Sequence, residues 1–167
     1  LALRGAGYTV YEFSRREAGV EGLHHIRADI TDETQVRAAV QQVMDAEGQI
    51  DVVVNNAGFG ISGAVEFTDT ADAQRLFNAD FFGMVRVNRA VIAHMRAAGR
   101  GRIVNLSSVA GPLPIPFQTY YSAAKAAVNA YTMALANELR PFGITVCAVQ
   151  PGDIHTGFTA AREKTVT

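Results

Sequence analysis

Tryptophan is absent from this sequence, and cysteine occurs once, as Cys147 in the apolar run "ITVCAV". One cysteine cannot close an internal disulfide, so no covalent framework stands in for a core, and the composition suits a cytoplasmic, reducing setting. Within that run the thiol is expected to be a small buried hydrophobe. Charge of one sign is missing as well: 15 Lys and Arg against 16 Asp and Glu leave a net charge of −1. That balance excludes the basic field by which nucleic acid or anionic lipid is gathered. No apolar run nears the roughly 20 residues that cross a bilayer, and none has a signal-peptide pattern. Histidines 24, 25, 94 and 155 show no metal-ligand spacing. Proline is scarce, and three of the five are crowded into "PLPIPF", residues 112–117.

What is present is 167 residues, 49% of them hydrophobic, which is enough for one packed domain. Short β-rich runs alternate with longer helical patterns. Strands are predicted at "YTVYEF" (8–13), "LHHIRADI" (23–30), "IDVVVNN" (50–56), "RIVNLSS" (102–108) and "ITVCAV" (144–149). Asp32 with Gln35 three residues on reads as a capping box, opening a helix through about Glu47 that Gly48 ends. Val36, Ala39, Val40 and Val43 form its apolar stripe. A long helix is predicted from about Asp69 to Ala98, and an alanine-rich one within "QTYYSAAKAAVNAYTMALANEL" (118–139). Continuous Val and Ile runs between helices indicate parallel strands buried on both faces. The expected fold is α/β, a Rossmann-like doubly wound parallel sheet in three αβα layers, with ligands outside the carboxyl ends of the strands.

The alanine-rich helix holds one lysine. Positions i and i+4 stack on one face about 5–6 Å apart, a relation that Tyr121 and Lys125 satisfy while Tyr120 pairs with Ala124. A free tyrosine, with a pKa near 10, is a poor base at neutral pH. A nearby cation favours the phenolate and so equips the phenol to exchange a proton with an alcohol or carbonyl. The pair by itself is also compatible with chance on a helix surface. Ser108, however, ends a buried strand thirteen residues earlier, and "NNAG" ends another.

Together "NNAG", "NLSS", "YSAAK" and "QPGDIHTG", in that order and each at a strand end or the following helix, resemble the classical branch of the short-chain dehydrogenase/reductase family. The resemblance covers nearly the whole chain. It implies that Tyr121 is the catalytic acid/base and also a cofactor contact, that Lys125 holds the nicotinamide ribose and lowers the tyrosine's pKa, and that Ser108 binds the substrate oxygen. Ser107 is left as a strand-end hydroxyl and Asn55 as a brace between strands. Asn56, Ala57 and Gly58 would lie against the adenosine-side ribose. Asp29 and Ile30 would bracket adenine, although Asp29 also reads as a turn acid ahead of the Asp32 cap. Pro151, Gly152, Ile154 and Thr156 would grip the nicotinamide carboxamide and phosphates, with His155 between them. After "YTVYEF" stand Ser14, Arg15 and Arg16, where NAD-preferring relatives carry an acid. A guanidinium suits a 2′-phosphate, so NADP is the expected cofactor and NAD the alternative, with Arg15 as its ligand. Glu12 lies within the strand and is not expected to reach the ribose.

Two departures qualify the resemblance. Aligning "NADFFG" on Gly83 puts Asp80 where the family has a catalytic asparagine. An ionised carboxylate accepts hydrogen bonds and donates none, and it would place a negative charge near Lys125. Asn78 lies about 200° around a regular helix and is a poor substitute. Secondly, no glycine-rich TGxxxGxG turn precedes "YTVYEF", and the sequence stops soon after Thr156. The sheet is therefore expected to be incomplete at both ends, with a strand wanting between "YTVYEF" and "IDVVVNN", as in an excerpt of a longer polypeptide. The reaction implied is hydride transfer between NADP(H) and a small or medium apolar carbonyl/alcohol pair, walled by Leu113, Ile115 and Phe117. A non-catalytic dinucleotide-binding protein is the alternative from another class, and an epimerase or dehydratase of the family's extended branch a third. Ala123, Ala126, Ala130 and Met133 form a stripe opposite Ala124, Val128, Tyr131 and Leu135, which suggests a homodimer or homotetramer.

Overall fold

The computed structural model describes residues 2–152, 154, 163 and 164. In chain order the elements are α1 (Ala2–Gly5), β1 (Tyr11–Ser14), β2 (His24–Arg27), α2 (Glu33–Glu47), β3 (Val52–Asn55), β4 (Ile61–Ser62), α3 (Thr70–Phe77), α4 (Met84–Ala98), β5 (Gly101–Leu106), α5 (Thr119–Leu139), β6 (Ile144–Val149) and β7 (Glu163–Lys164). Every ladder is parallel: β1 with β2, β4 with β7, and β5 between β3 and β6. The expected α/β class with helices flanking parallel strands is what the chain adopts.

Local chemistry sets the helix ends. Asp32 Oδ1 accepts the N–H groups of Thr34 and Gln35, and Gln35 Nε2 donates back to Asp32 Oδ2 at 3.0 Å, satisfying donors that the first turn leaves orphaned. Gly48 closes α2 in the left-handed conformation (φ 71°) that glycine adopts without penalty. Val36, Ala39, Val40 and Val43 are its buried residues, as the sequence spacing predicts.

The single helix predicted over 69–98 is divided. Between α3 and α4 lies a π-helical turn, Asn78–Gly83. Such a turn accommodates an extra residue, and here it carries Asp80 and Gly83 inward, both buried. A Cβ on Gly83 would stand 2.5 Å from Ile30 Cδ1, so a larger residue there would force the Ile30 side chain to shift.

Val40, Val91, Met95, Ile103, Leu135, Leu139, Ile144 and Val146 make one core cluster, joined by Val53. It forms where α2, α4 and α5 press on one face of β3–β5–β6. The strands consequently alternate: Ile144 and Val146 are buried, whereas Thr145, Cys147 and Val149 are exposed, as are Val52 and Val54. Two expectations are corrected. These strands are not buried on both faces among the described residues, and Cys147 is exposed because strand period two turns it away from the helices.

A polar network ties the same elements together beneath the strand ends. Asn55 Nδ2 donates to Asn88 Oδ1 (2.7 Å) and Asn105 Oδ1 (2.8 Å). Asn105 Nδ2 donates to Thr132 Oγ1 (2.9 Å), whose hydroxyl donates to the Val128 carbonyl. Asn55 is thus the brace that the sequence reading made it.

Candidate active site

Tyr121 and Lys125 share the inner face of α5, and both are buried. Lys125 Nζ lies 5.5 Å from the centroid of the Tyr121 ring and donates to the Leu106 carbonyl at the end of β5 (3.1 Å). Its other partner is Asp80, whose Oδ2 is 3.2 Å from Nζ, with the two side chains 0% and 7% exposed respectively. That contact is an ion pair without hydrogen-bond alignment at Oδ2. Oδ1 accepts the Phe59 N–H at 2.9 Å. Burial raises the Asp80 pKa above the ordinary carboxylate value; the Lys125 charge and the Phe59 N–H pull it back without cancelling the shift.

Asp80 therefore fastens three elements: the π turn that carries it, α5 through Lys125, and the loop after β3 through Phe59. The fit is tight. A Cβ on Gly58 would stand 2.8 Å from Asp80 Oδ2 and 2.9 Å from Cγ, so the glycine of "NNAG" makes room for a carboxylate. Asn78 is engaged elsewhere, its Oδ1 accepting Arg86 at 2.8 Å.

Ser108 follows β5 in a turn in which its Oγ accepts the Ala110 N–H (3.1 Å). Ala110 packs in one cluster with Tyr121, Ala124, Ile61 and Leu76, which seats the Ser108 turn on the tyrosine's helix. Gly111 lies against α5 so closely that a Cβ would meet the Lys125 backbone at 3.1 Å. Ser107 is buried and donates from Oγ to the Lys125 carbonyl (3.1 Å). It holds the helix turn that bears the lysine, a role that a sequence reading of a strand-end hydroxyl did not contain. Pro151 joins this rim, its carbonyl accepting the Val109 N–H (3.1 Å).

On the β1–β2 side, Arg15 follows the last residue of β1, with its side chain 81% exposed and 4.0 Å from Asp29 Oδ2. Asp29 is also a turn acid: Oδ1 accepts both the N–H and the hydroxyl of Thr31. Burial works to raise its pKa, but these hydrogen bonds and Arg15 bring it below the usual value. Ile30 is half-buried, against Gly83. Asn56, Ala57 and Gly58 are exposed in the loop after β3, and Gly152 and Ile154 are exposed beyond Pro151. Thr156 and His155 lie outside the described residues.

Residue spacing gave no sign of the strap formed by β4 and β7. The Glu163 N–H donates to the Gly60 carbonyl (2.9 Å). Arg75 grips Glu163 bidentately, at 3.0 and 2.6 Å, and lies over the Phe59 ring at 5.1 Å. That pairing holds the Glu163 carboxyl below its ordinary pKa. Among the described residues no three of His, Cys, Asp and Glu converge on a metal-sized site, and no helix is long and apolar enough to cross a membrane.

Residues 9–167 match the short chain dehydrogenase family. The chain is 45% identical over 159 residues to a 3-ketodihydrosphingosine reductase of Bacteroides thetaiotaomicron, with 93% of this chain and 58% of that relative covered. A short-chain dehydrogenase structure from Streptomyces avermitilis superposes with a TM-score of 0.91 at 35% identity, covering 99% of this chain and 65% of the other. The structure of ElxO with NADP bound gives 0.85 at 30% identity, with 90% and 66% covered. The chain thus spans about three fifths of the length of the curated relative.

Proposed function

The chain belongs to the short-chain dehydrogenase/reductase family, and from that premise we propose that it transfers hydride between NADP(H) and a carbonyl/secondary-alcohol pair on an apolar molecule. The observation that carries this reading is the buried group of Tyr121, Lys125 and Asp80, with Nζ 5.5 Å from the phenol ring and 3.2 Å from the carboxylate. Tyr121 passes the proton to or from the substrate oxygen, which Ser108 orients by hydrogen bonding. Lys125 is the cation that favours the phenolate, and Asp80 and the Leu106 carbonyl hold it in place. The nicotinamide, when bound, supplies or accepts the hydride.

The residues present fit NADP. Arg15 is exposed at the end of β1 with a guanidinium that suits a 2′-phosphate. The carboxylate beside it, Asp29, is already engaged by Thr31. Asp29 and Ile30 are assigned to adenine, Asn56, Ala57 and Gly58 to the adenosine ribose, and Lys125 to the nicotinamide ribose. Pro151, Gly152, Ile154 and Thr156 are assigned to the carboxamide and phosphates. NAD is the alternative cofactor.

Leu113 and Phe117, 70% and 66% exposed, with Ile115 form an apolar wall on the loop leading into α5. A ketone on an aliphatic chain is the substrate class this wall suits, in keeping with the name of the Bacteroides relative. Ala123, Ala126, Ala130 and Met133 form an exposed stripe on α5, which supports a homodimer or homotetramer. The free, exposed thiol of Cys147 suits a cytoplasmic setting. The test is loss of reduced-nicotinamide absorbance with a panel of 3-keto aliphatic compounds, NADPH against NADH. Turnover supports the reading; cofactor binding without turnover on any ketone supports a regulatory dinucleotide-binding protein instead.

A further inference from the structure

Glu12 stands on β1 directly opposite His25 in the β1–β2 register, with its side chain only 16% exposed. Its carboxylate gathers the loop between β1 and β2. Oε1 accepts the Val20 N–H at 2.8 Å, and the Arg16 guanidinium reaches Oε1 and Oε2 at 3.2 and 3.0 Å. His25 Nδ1 lies 3.1 Å from Oε1. On its other side His25 Nε2 is 3.0 Å from the Arg16 carbonyl; a carbonyl only accepts, so Nε2 carries the hydrogen. Arg16 Nε also reaches Ser14 Oγ (3.3 Å). At Gly19 the chain passes so close that a Cβ would stand 2.7 Å from Glu12 Oε1. The segment from Arg16 to Val20 is therefore wrapped on one carboxylate.

This arrangement gives two adjacent arginines different surroundings. Arg16 is folded back on Glu12, whereas Arg15 extends into solvent at the strand end. We propose that Glu12 is the positioning residue for recognition of the cofactor's 2′-phosphate: it engages Arg16, fixes the 16–20 backbone and so presents Arg15 to the phosphate. Arg16 in turn neutralises Glu12, whose free charge three residues before Arg15 would offset that arginine's attraction for a phosphate. The inference rests on the NADP reading above.

The experiment is calorimetric binding of 2′,5′-ADP and 5′-AMP to the full-length protein and its Glu12→Ala, Glu12→Gln, Arg15→Ala and Glu12→Ala/Arg15→Ala variants. The parent is expected to prefer 2′,5′-ADP by about tenfold or more, the effect of one charge-assisted contact. Glu12→Ala is expected to remove most of that preference while changing 5′-AMP affinity by less than about twofold. Glu12→Gln, which keeps an acceptor for Val20, is expected to fall between, and it serves if the alanine variant does not fold. The double variant should be no weaker for 2′,5′-ADP than Arg15→Ala alone, because the two act through one contact. If Arg15→Ala lowers the preference and neither Glu12 variant does, the positioning role is wrong and the NADP reading stands. If Arg15→Ala has no effect, both fall; equal weakening of both ligands by Glu12→Ala also overturns the role.

Discussion

At the scale of single residues, Asp80 has the widest consequences. It is a buried carboxylate facing a buried ammonium, and breaking such a pair from one side is costly because the remaining charge is left unpaired. Asp80→Ala is expected to lower unfolding free energy by about 3–5 kcal/mol, measured by urea denaturation. The pH dependence has a definite sign. The native pKa of Asp80 is raised above 3.8, so the folded state holds this proton more tightly than the unfolded chain. The stability it contributes is fully present below that value and is lost as pH rises through the raised pKa. The stability difference between parent and Asp80→Asn should accordingly decline with rising pH across that window; a difference that grows would contradict the assignment. The pair itself was legible in part. Helical spacing puts Tyr121 and Lys125 together, and alignment on Gly83 puts Asp80 near them. The Phe59 N–H and the room left by Gly58 were not legible, because both are contacts across more than twenty residues of sequence. Phe117 is a second such case: it is an exposed phenylalanine with φ 62°, a conformation that costs an L-residue about 1–2 kcal/mol. Phe117→Gly should stabilise by no more than about 1 kcal/mol, after glycine's own entropy cost, and should raise KM for an aliphatic ketone with little change in kcat.

At the scale of elements, the strands and most helix ends could be read from the sequence because their causes are local. Asp32, Gln35 and Gly48 act within a turn of themselves, and the α2 stripe is a matter of period. The π turn at Asn78–Gly83 escaped because its apolar pattern is continuous with the helices on either side; what selects it is the tertiary requirement that Asp80 reach Lys125 and that Gly83 meet Ile30. The asparagine network escaped for the same reason, apart from Asn55. Asn105 sits at its centre, joining β3, β5, α4 and α5. Asn105→Ala removes the acceptor that the Asn55 and Asn88 amides share and the donor to Thr132, leaving Asn55 its bond to Asn88 Oδ1, and should cost about 1–3 kcal/mol. Thermal unfolding checks it, and a shift near zero would mean that the network braces nothing.

At the scale of the whole molecule, Val- and Ile-rich runs alternating with helical patterns pointed to the parallel α/β domain that the chain adopts, while burial of both sheet faces is not met among the described residues. The reading of strands buried on both sides assumed helices above and below, whereas the described helices α2, α4 and α5 share one face of β3–β5–β6. That leaves Val52, Val54 and Cys147 outside, and leaves the α5 stripe exposed on the far side of its helix. Met133, 71% exposed on that stripe, offers a direct check on assembly: Met133→Glu should shift the sedimentation profile toward monomer, and an unchanged profile would remove α5 from the interface. The central claim concerns the whole folded site, since Tyr121 comes from α5, its cation from the next turn, and that cation's carboxylate from the π turn. It is tested most directly by single-turnover reduction of a 3-keto aliphatic substrate by full-length Tyr121→Phe, alongside NADPH affinity by fluorescence titration. Loss of one proton donor predicts a rate lower by about 100-fold or more with NADPH affinity changed by less than about tenfold; a rate equal to the parent's would contradict the account.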